Sequence, residues 1–306
     1  ETVWYINPAE GDFLAFSPDG LLLAVYGEAS GIHIWDIQSK KQLKTIPVQG
    51  WRVQFSMDGK QIAYMTPGRV FVWDLDLDRA IFETQTGASQ GPRMAFNPNS
   101  QFLAVESDDT HAILWDLKRG QTIFDVDFSP YYPGEISFSP DGSLLAIVTR
   151  RRHVVNDNDV YGLKLFNPAT GEMIYESAMK GGTVSDIGFT SDGKFLFGFM
   201  NWKQLWRFDL STFREETVPF NISIPDKDLP PGHGNTLFHL LLTFHPNGKE
   251  LAVSVNESRI VIWDAETQSP SRVLEHWTTT RPGAVYLPKV NRIVTEEMNQ
   301  GLLVIG

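Results

Sequence analysis

The sequence predicts an all-β protein, a seven-bladed β-propeller of four-stranded antiparallel blades, and three observations support this prediction. A short motif recurs along the chain, most copies follow one another at intervals of about 40 residues, and the apolar segments between them are as short as β-strands. Such periodicity is typical of repeat proteins in which each repeat is one structural unit. We therefore expect a single domain over residues 1–306.

The repeated motif consists of an aromatic residue, a turn rich in Pro, Asp and Gly, an apolar run and, in four copies, the dipeptide Trp-Asp. The turns begin at Phe16, Phe55, Phe96, Phe138, Phe189, Phe244 and, in a degenerate last copy, at Tyr286. Trp-Asp begins at Trp35, Trp73, Trp115 and Trp263, and Phe166-Asn167 and Phe208-Asp209 take its place in the other two. From this spacing we expect blades to begin near residues 13, 52, 93, 135, 185, 241 and 283.

Each repeat divides into four short segments with the character of strands. In the first repeat they are Phe13–Phe16, Leu21–Tyr26, Ile32–Asp36 and Gln42–Pro47. The second segment is continuously apolar in several repeats, for example over Leu144–Val148, which indicates a strand buried on both faces. Between the first two segments, Pro sets φ and Gly accepts a positive φ, as a tight turn requires.

The two ends of the chain are expected to share one blade. The seventh repeat supplies three strands, the last at Leu302–Ile305, and residues 3–6 precede the first strand without a blade of their own. We expect residues 3–6 to be the outer strand of the last blade, because closing the ring leaves only short edges.

Composition excludes some classes of function. The formal net charge of -11 argues against a general nucleic-acid binder, which carries a basic surface. There are no cysteines, so neither disulfides nor thiolate metal sites are possible. No apolar run is long enough for a transmembrane helix.

The Trp-Asp dipeptides and the Pro-Asp-Gly turns resemble those of the WD40 repeat family over essentially the whole chain. The resemblance is to a divergent, bacterial-type form, because the Gly-His dipeptide that usually opens such a repeat is absent from most copies. It implies a β-propeller and, by analogy of fold, an interaction module. The aspartates of the motif recur at the same point of each repeat, which favours capping and packing roles over catalysis.

Two long loops point to one face of the predicted propeller. Residues 149–162 lengthen the connection between the second and third strands of the fourth blade, and residues 221–239 lengthen the connection into the sixth blade. Both kinds of connection emerge on the same face, and long loops in a compact domain are often functional.

Aromatic and arginine residues are frequent in the connections of that face, and these residue types dominate binding hot spots. We predict that ten of them contact a partner: Trp51, Arg52, Arg93, Tyr131, Tyr132, Arg151, Trp202, His239, Trp277 and Arg281. About half of such aromatics are expected to have structural roles instead, because large aromatics are buried on average.

Other kinds of site are not predicted. Residues 156–159 (NDND) offer oxygen ligands for Ca²⁺, but the spacing of a calcium loop is missing and a hydrogen-bonded turn is favoured. No catalytic, metal-ligating or cofactor-binding motif is found, so we predict no enzyme and no cofactor.

The sequence thus predicts a non-enzymatic scaffold that binds a protein or peptide on the face carrying loops 149–162 and 221–239. It is expected to bind no nucleic acid, and it is a candidate subunit of a larger complex. The alternative is an extracytoplasmic structural or ligand-sensing subunit of a secreted or membrane-tethered assembly. The sequence leaves the compartment and the partner's identity open.

Overall fold

A computed structural model describes most of the chain. The described residues are 13–27, 31–48, 51–87, 93–108, 110–150, 160–180, 184–200, 204–218, 242–244, 250–256, 259–264, 267, 269–275, 284–287, 292–297 and 301–305. The predicted closing strand, residues 3–6, and most of the two long loops lie outside these ranges. Ring closure and the single domain therefore remain predictions.

The described strands form seven antiparallel sheets, six of four strands and one of three, in two compact units. We call each sheet a blade and number the blades in chain order. Within the described ranges there is no helix, and so none long and apolar enough to cross a membrane. The all-β prediction is confirmed, and the seven sheets are compatible with seven blades.

The first unit contains blades 1 to 4. Their strands are β1 (Phe13–Phe16), β2 (Leu22–Gly27), β3 (Gly31–Asp36), β4 (Lys41–Ile46); β5 (Trp51–Phe55), β6 (Gln61–Thr66), β7 (Arg69–Asp74), β8 (Arg79–Gln85); β9 (Met94–Phe96), β10 (Phe102–Glu106), β11 (His111–Asp116), β12 (Gln121–Asp127); and β13 (Tyr132–Phe138), β14 (Leu145–Arg150), β15 (Val160–Phe166), β16 (Met173–Lys180).

The second unit contains blades 5 to 7, except for Leu287. Their strands are β17 (Val184–Phe189), β18 (Phe195–Met200), β19 (Gln204–Asp209), β20 (Arg214–Val218); β21 (Leu242–Phe244), β22 (Glu250–Asn256), β23 (Arg259–Asp264), β24 (Ser269–Glu275); and β25 (Ala284–Leu287), β26 (Arg292–Glu297), β27 (Gly301–Ile305). In the first repeat, all four observed strands agree with the predicted ones to within one residue at each end.

The first strand of each blade is the innermost and the fourth is the outermost. Within the units, the first strands of neighbouring blades contact one another, as in β1 with β5 and β9 with β13. The second strands β6 and β10 are almost wholly buried, whereas the fourth strand β4 is mostly exposed. In the β-propeller fold the blades surround a central channel, so the first strands are the ones that face it.

The hydrophobic core of the first unit lies between neighbouring blades. Ile32 and Ile34 of blade 1 pack with Ile62 and Tyr64 of blade 2. Similar clusters join blades 2 and 3, and blades 3 and 4. Because each sheet is covered on both faces, its second strand reads as a continuous apolar run, as the sequence predicted.

The tight turn between the first and second strands is held by a hydroxyl and a carboxylate. In blade 1 the Ser17 hydroxyl donates to Asp19 Oδ1 at 2.6 Å and accepts the Leu22 N–H at 2.8 Å. The same pattern recurs with Ser56 and Asp58, Ser139 and Asp141, and Thr190 and Asp192. In blade 3 two amides replace it, since Asn97 Nδ2 donates to Asn99 Oδ1 and Asn97 Oδ1 accepts the Phe102 N–H.

Replacing Ser139 with alanine is expected to lower the free energy of unfolding by about 1–3 kcal/mol. Ser139 is 2% exposed, and its hydroxyl is the acceptor for the Leu144 N–H at 2.9 Å. Denaturant unfolding of the variant measures the loss. Ser143→Ala is the matched control, because Ser143 also donates to Asp141 but is exposed, so its loss should stay below about 0.5 kcal/mol. Equal losses would contradict the role given to the buried hydroxyl.

The second aspartate of the motif caps the turn after the third strand. Asp74 Oδ1 accepts the N–H groups of Asp76 and Leu77 at 3.0 and 2.8 Å. Equivalent bonds are made by Asp36, Asp116, Asp209, Asp264 and, in blade 4, Asn167. The capping role predicted for these aspartates is confirmed.

Acid is expected to destabilise the fold through these turns. Hydrogen bonds from Ser39, Ser139 and Ser211 lower the pKa of Asp36, Asp141 and Asp209, respectively. A carboxyl whose pKa is lowered by folding stabilises the protein above about pH 4, and this contribution is lost as the pH falls below that value.

Thermal unfolding between about pH 6 and pH 3 tests this expectation, with a falling midpoint as the predicted result. Asp141→Asn should reduce the fall, because an amide oxygen accepts the same hydrogen bonds without titrating. A midpoint that does not change over this range would contradict the prediction.

Candidate partner-binding face

The candidate site lies where the first strands begin and the second strands end. Five of the ten predicted contact residues are found there in blades 2, 3 and 4. Trp51 and Arg52 begin β5, Arg93 directly precedes β9, Tyr131 directly precedes β13 and Tyr132 is its first residue. We call this the β5–β9–β13 face. The other five, Arg151, Trp202, His239, Trp277 and Arg281, lie outside the described residues.

One position of the repeat is charged in four successive blades. It lies three residues before the aromatic residue of the turn, and it is held by Arg52 in blade 2, Arg93 in blade 3, Glu135 in blade 4 and Asp186 in blade 5. These residues lie on the innermost strands or, for Arg93, directly before one, so they are at the inner edge of their blades.

A β-bulge accompanies this position in three of the four blades. The pairing of β5 with β6 shifts between Trp51 and Gln54, that of β13 with β14 shifts between Pro133 and Ile136, and that of β17 with β18 shifts between Ser185 and Gly188. The unpaired residues include Arg52, Glu135 and Asp186, respectively. Bulges re-aim side chains and are frequent next to functional sites. Arg52 also has a φ of 52°, in the left-handed region that residues other than glycine rarely adopt.

Arg93 is held by two glutamates. Its backbone N–H donates to Glu106 Oε2 at 3.1 Å, and its carbonyl accepts the Glu106 N–H at 2.9 Å. Its Nε donates to Glu135 Oε1 at 2.5 Å, which joins the innermost strands of blades 3 and 4. Glu106 is 3% exposed, whereas the Arg93 and Glu135 side chains are 23% and 21% exposed.

Glu106 and Glu135 were not among the predicted residues. Counting back three positions from Phe138 finds Glu135 opposite Arg52 and Arg93 in an alignment of the repeats, so the sequence contained this signal. Glu106 is different. It ends an apolar second strand, and only the observed pairing places its carboxylate against the Arg93 N–H.

The outer strands of blade 3 carry a smaller charged group at the same end. His111 Nδ1 lies 2.8 Å from Asp125 Oδ1, and His111 Nε2 lies 3.8 Å from Asp127 Oδ1. The hydrogen bond with Asp125 raises the pKa of His111, and hydrogen bonds from Ser129 lower the pKa of Asp127. Both effects favour the charged pair, and the His111 contribution to stability is lost as the pH rises through the raised pKa.

The described residues contain no group of three or more His, Asp or Glu side chains arranged to hold a metal ion. The stretch for which Ca²⁺ was considered, residues 156–159, lies outside the described residues. What the face offers chemically is therefore a set of arginines, carboxylates and aromatic residues at fixed positions on strands, which suits binding by hydrogen bonds and ion pairs.

Comparisons with known proteins agree with this architecture. The family model for WD40, described as WD domain, G-beta repeat, matches residues 87–116. Comparison with curated proteins finds no significant match. Among solved structures, the β-propeller domain of Cps50 (Swd1) from Myceliophteria thermophila is similar, with a TM-score of 0.70 and 18% sequence identity over 99% of this chain and 97% of that domain. The chain therefore carries a WD40 repeat at residues 87–116 and has the fold of a β-propeller, which confirms its resemblance to the WD40 repeat family.

Proposed function

We propose that this protein is a non-enzymatic scaffold that binds a protein or peptide through the β5–β9–β13 face and acts as a subunit of a larger complex. WD40 propellers generally mediate protein–protein interaction, and the fold and the repeat match support a function of that kind.

The observation that carries the proposal is the convergence of separate predicted contact residues on one face. Trp51, Arg93 and Tyr132 belong to three different repeats, yet all lie at the beginnings of innermost strands. Strands hold side chains more rigidly than loops do, so less conformational entropy is lost when a partner binds. Tyr, Trp and Arg are also the residue types that contribute most to binding energy.

Site-specific photo-crosslinking in the native host tests the proposal. A photoreactive phenylalanine derivative replaces Tyr131 on the face or Leu43 on the outermost strand β4, where Leu43 is 58% exposed. We expect position 131 to give a defined crosslinked protein, and we expect that this protein is not crosslinked from position 43. The proposal is wrong if position 131 gives no crosslink, or only the products that position 43 gives.

Arg52→Gly is expected to separate binding from stability. Glycine adopts a φ of 52° without strain, which offsets part of the cost of removing the side chain, so the free energy of unfolding should change by less than about 1 kcal/mol, while the loss of the side chain weakens partner binding. Denaturant unfolding and pull-down of the crosslinked partner measure the two effects. Arg52→Lys keeps the strain and the charge and is the control. A glycine variant that binds as wild type would show that the strained residue serves no partner.

A further inference from the structure

We propose that Arg93 is the anchor of the β5–β9–β13 face and that it receives a carboxylate side chain from an acidic segment of the partner. This inference rests on the proposed function, because it names the chemistry of the partner that the face would bind. It is carried by the hydrogen bonds of Arg93, by its place directly before the innermost strand and by a second arginine at the same repeat position.

The guanidinium of Arg93 is held in one orientation, but most of its N–H donors have no acceptor among the described residues. Arginine has five N–H donors, and in the described residues Arg93 uses only Nε, which donates to Glu135. Its two Nη groups donate to none of the described residues, and the side chain is 23% exposed. The outer edge of the guanidinium therefore retains the paired donors that match a carboxylate in two parallel hydrogen bonds.

The surroundings of Arg93 keep this edge in place before a ligand arrives. The Arg93 backbone donates to the Glu106 carboxylate and accepts from the Glu106 N–H, and Glu135 holds Nε from the neighbouring blade. A side chain fixed in this way loses little conformational entropy on binding. An arginine that served only as half of a partly exposed ion pair would add little to stability, so the pair alone does not account for this arrangement.

A carboxylate fits this site better than a phosphate. Glu135 lies against the Arg93 guanidinium and Glu106 against the Arg93 backbone N–H, so a doubly charged phosphate would experience about twice the repulsion of a singly charged carboxylate. Arg52 supplies a further positive charge at the same position of the neighbouring blade. On blades 2 and 3 these two arginines outnumber the one glutamate, Glu106, whereas blade 4 contributes Glu135, so we expect an acidic segment to approach from the side of blades 2 and 3.

Selection of random peptides displayed on phage tests the inference. Peptides are selected separately on the whole chain and on Arg93→Gln. We expect the wild-type peptides to share Asp or Glu at one position, and the peptides selected on Arg93→Gln to lack that preference. The best wild-type peptide should bind Arg93→Gln at least about tenfold more weakly.

Arg119→Gln is the matched control. Arg119 also pairs with one carboxylate, Asp116 at 2.6 Å, but it lies in the turn after β11, at the other end of the strands. Its variant should bind the peptide as wild type does. Arg93→Lys keeps the charge without the paired donors, so it should fold, as checked by thermal unfolding, and still bind the peptide weakly.

Synthetic versions of the best peptide carry Glu, Gln or phosphoserine at the shared position. The Glu peptide is expected to bind most tightly. Tighter binding of phosphoserine overturns the choice of carboxylate, and an acidic preference that survives in Arg93→Gln, or is missing with wild type, overturns the role of Arg93. These outcomes leave the proposed function intact. The absence of any bound peptide, together with no crosslink at position 131, overturns the proposed function and this inference with it.

Discussion

Replacing Gly31 with alanine is expected to lower the free energy of unfolding by about 3–5 kcal/mol. A Cβ at this position would lie 2.3 Å from the carbonyl oxygen of Ile46, which belongs to the backbone of the neighbouring strand β4 and cannot rotate away. The φ of Gly31 is 96°, so an alanine would also be strained. Denaturant unfolding of the purified variant measures the loss.

Gly120→Ala separates the two causes. Gly120 also has a positive φ, 64°, but nothing lies within 4 Å of the place that a Cβ would occupy, so only the strain of about 1–2 kcal/mol should appear. If Gly31→Ala costs no more than Gly120→Ala, the close approach of β3 and β4 at Gly31 does not constrain the blade.

Trp206→Ala is expected to cost about 3–5 kcal/mol, the typical loss for a large aromatic residue in a core. Trp206 is 1% exposed, its ring stacks on Phe208 with centroids 5.9 Å apart, and its Nε1 donates to Glu215 at 3.2 Å. Removing it leaves a large cavity and exposes one face of Phe208. Thermal and denaturant unfolding of the variant measure the effect.

Phe213→Ala is the control for Trp206. The Phe213 ring also neighbours Phe208, at 6.3 Å between centroids, but the side chain is 42% exposed. Because less apolar area is lost from the interior, the variant should lose at most about 1.5 kcal/mol. Comparable losses for the two variants would mean that contact with Phe208, and not burial of the indole, stabilises blade 5.

The repeat allowed the strands and turns to be predicted because each blade repeats the same requirements. The apolar run Leu144–Val148 marks a buried strand, and Gly142 marks a turn residue with a positive φ, 73°. The buried hydroxyl of Ser139 was missed, because the sequence shows which residues suit a turn but not which hydrogen bonds hold it. Trp206 was missed for another reason, since it lies two residues before the place where the motif has tryptophan.

The candidate site was less predictable than the scaffold. Arg52 and Arg93 were chosen for their residue type and their place in connections, and both lie on the face that the structure describes. The pairing of Arg93 with Glu106 and Glu135 depends on strand register and on a bulge, and a single sequence states neither. The residues predicted in the long loops, such as Trp202 and His239, are outside the described ranges, so their roles stay predictions.

The amide version of the turn in blade 3 bears on the isoelectric point of the protein. Asn97 and Asn99 reproduce the hydrogen bonds that a hydroxyl and an aspartate make elsewhere, so the geometry of the turn does not require a charge. Asp19, Asp58, Asp141 and Asp192 thus contribute four negative charges at a point of the turn where an uncharged acceptor also serves. The acidity of the chain, with a pI near 5.1, is to this extent a by-product of repeated turn-building and carries no information about the partner.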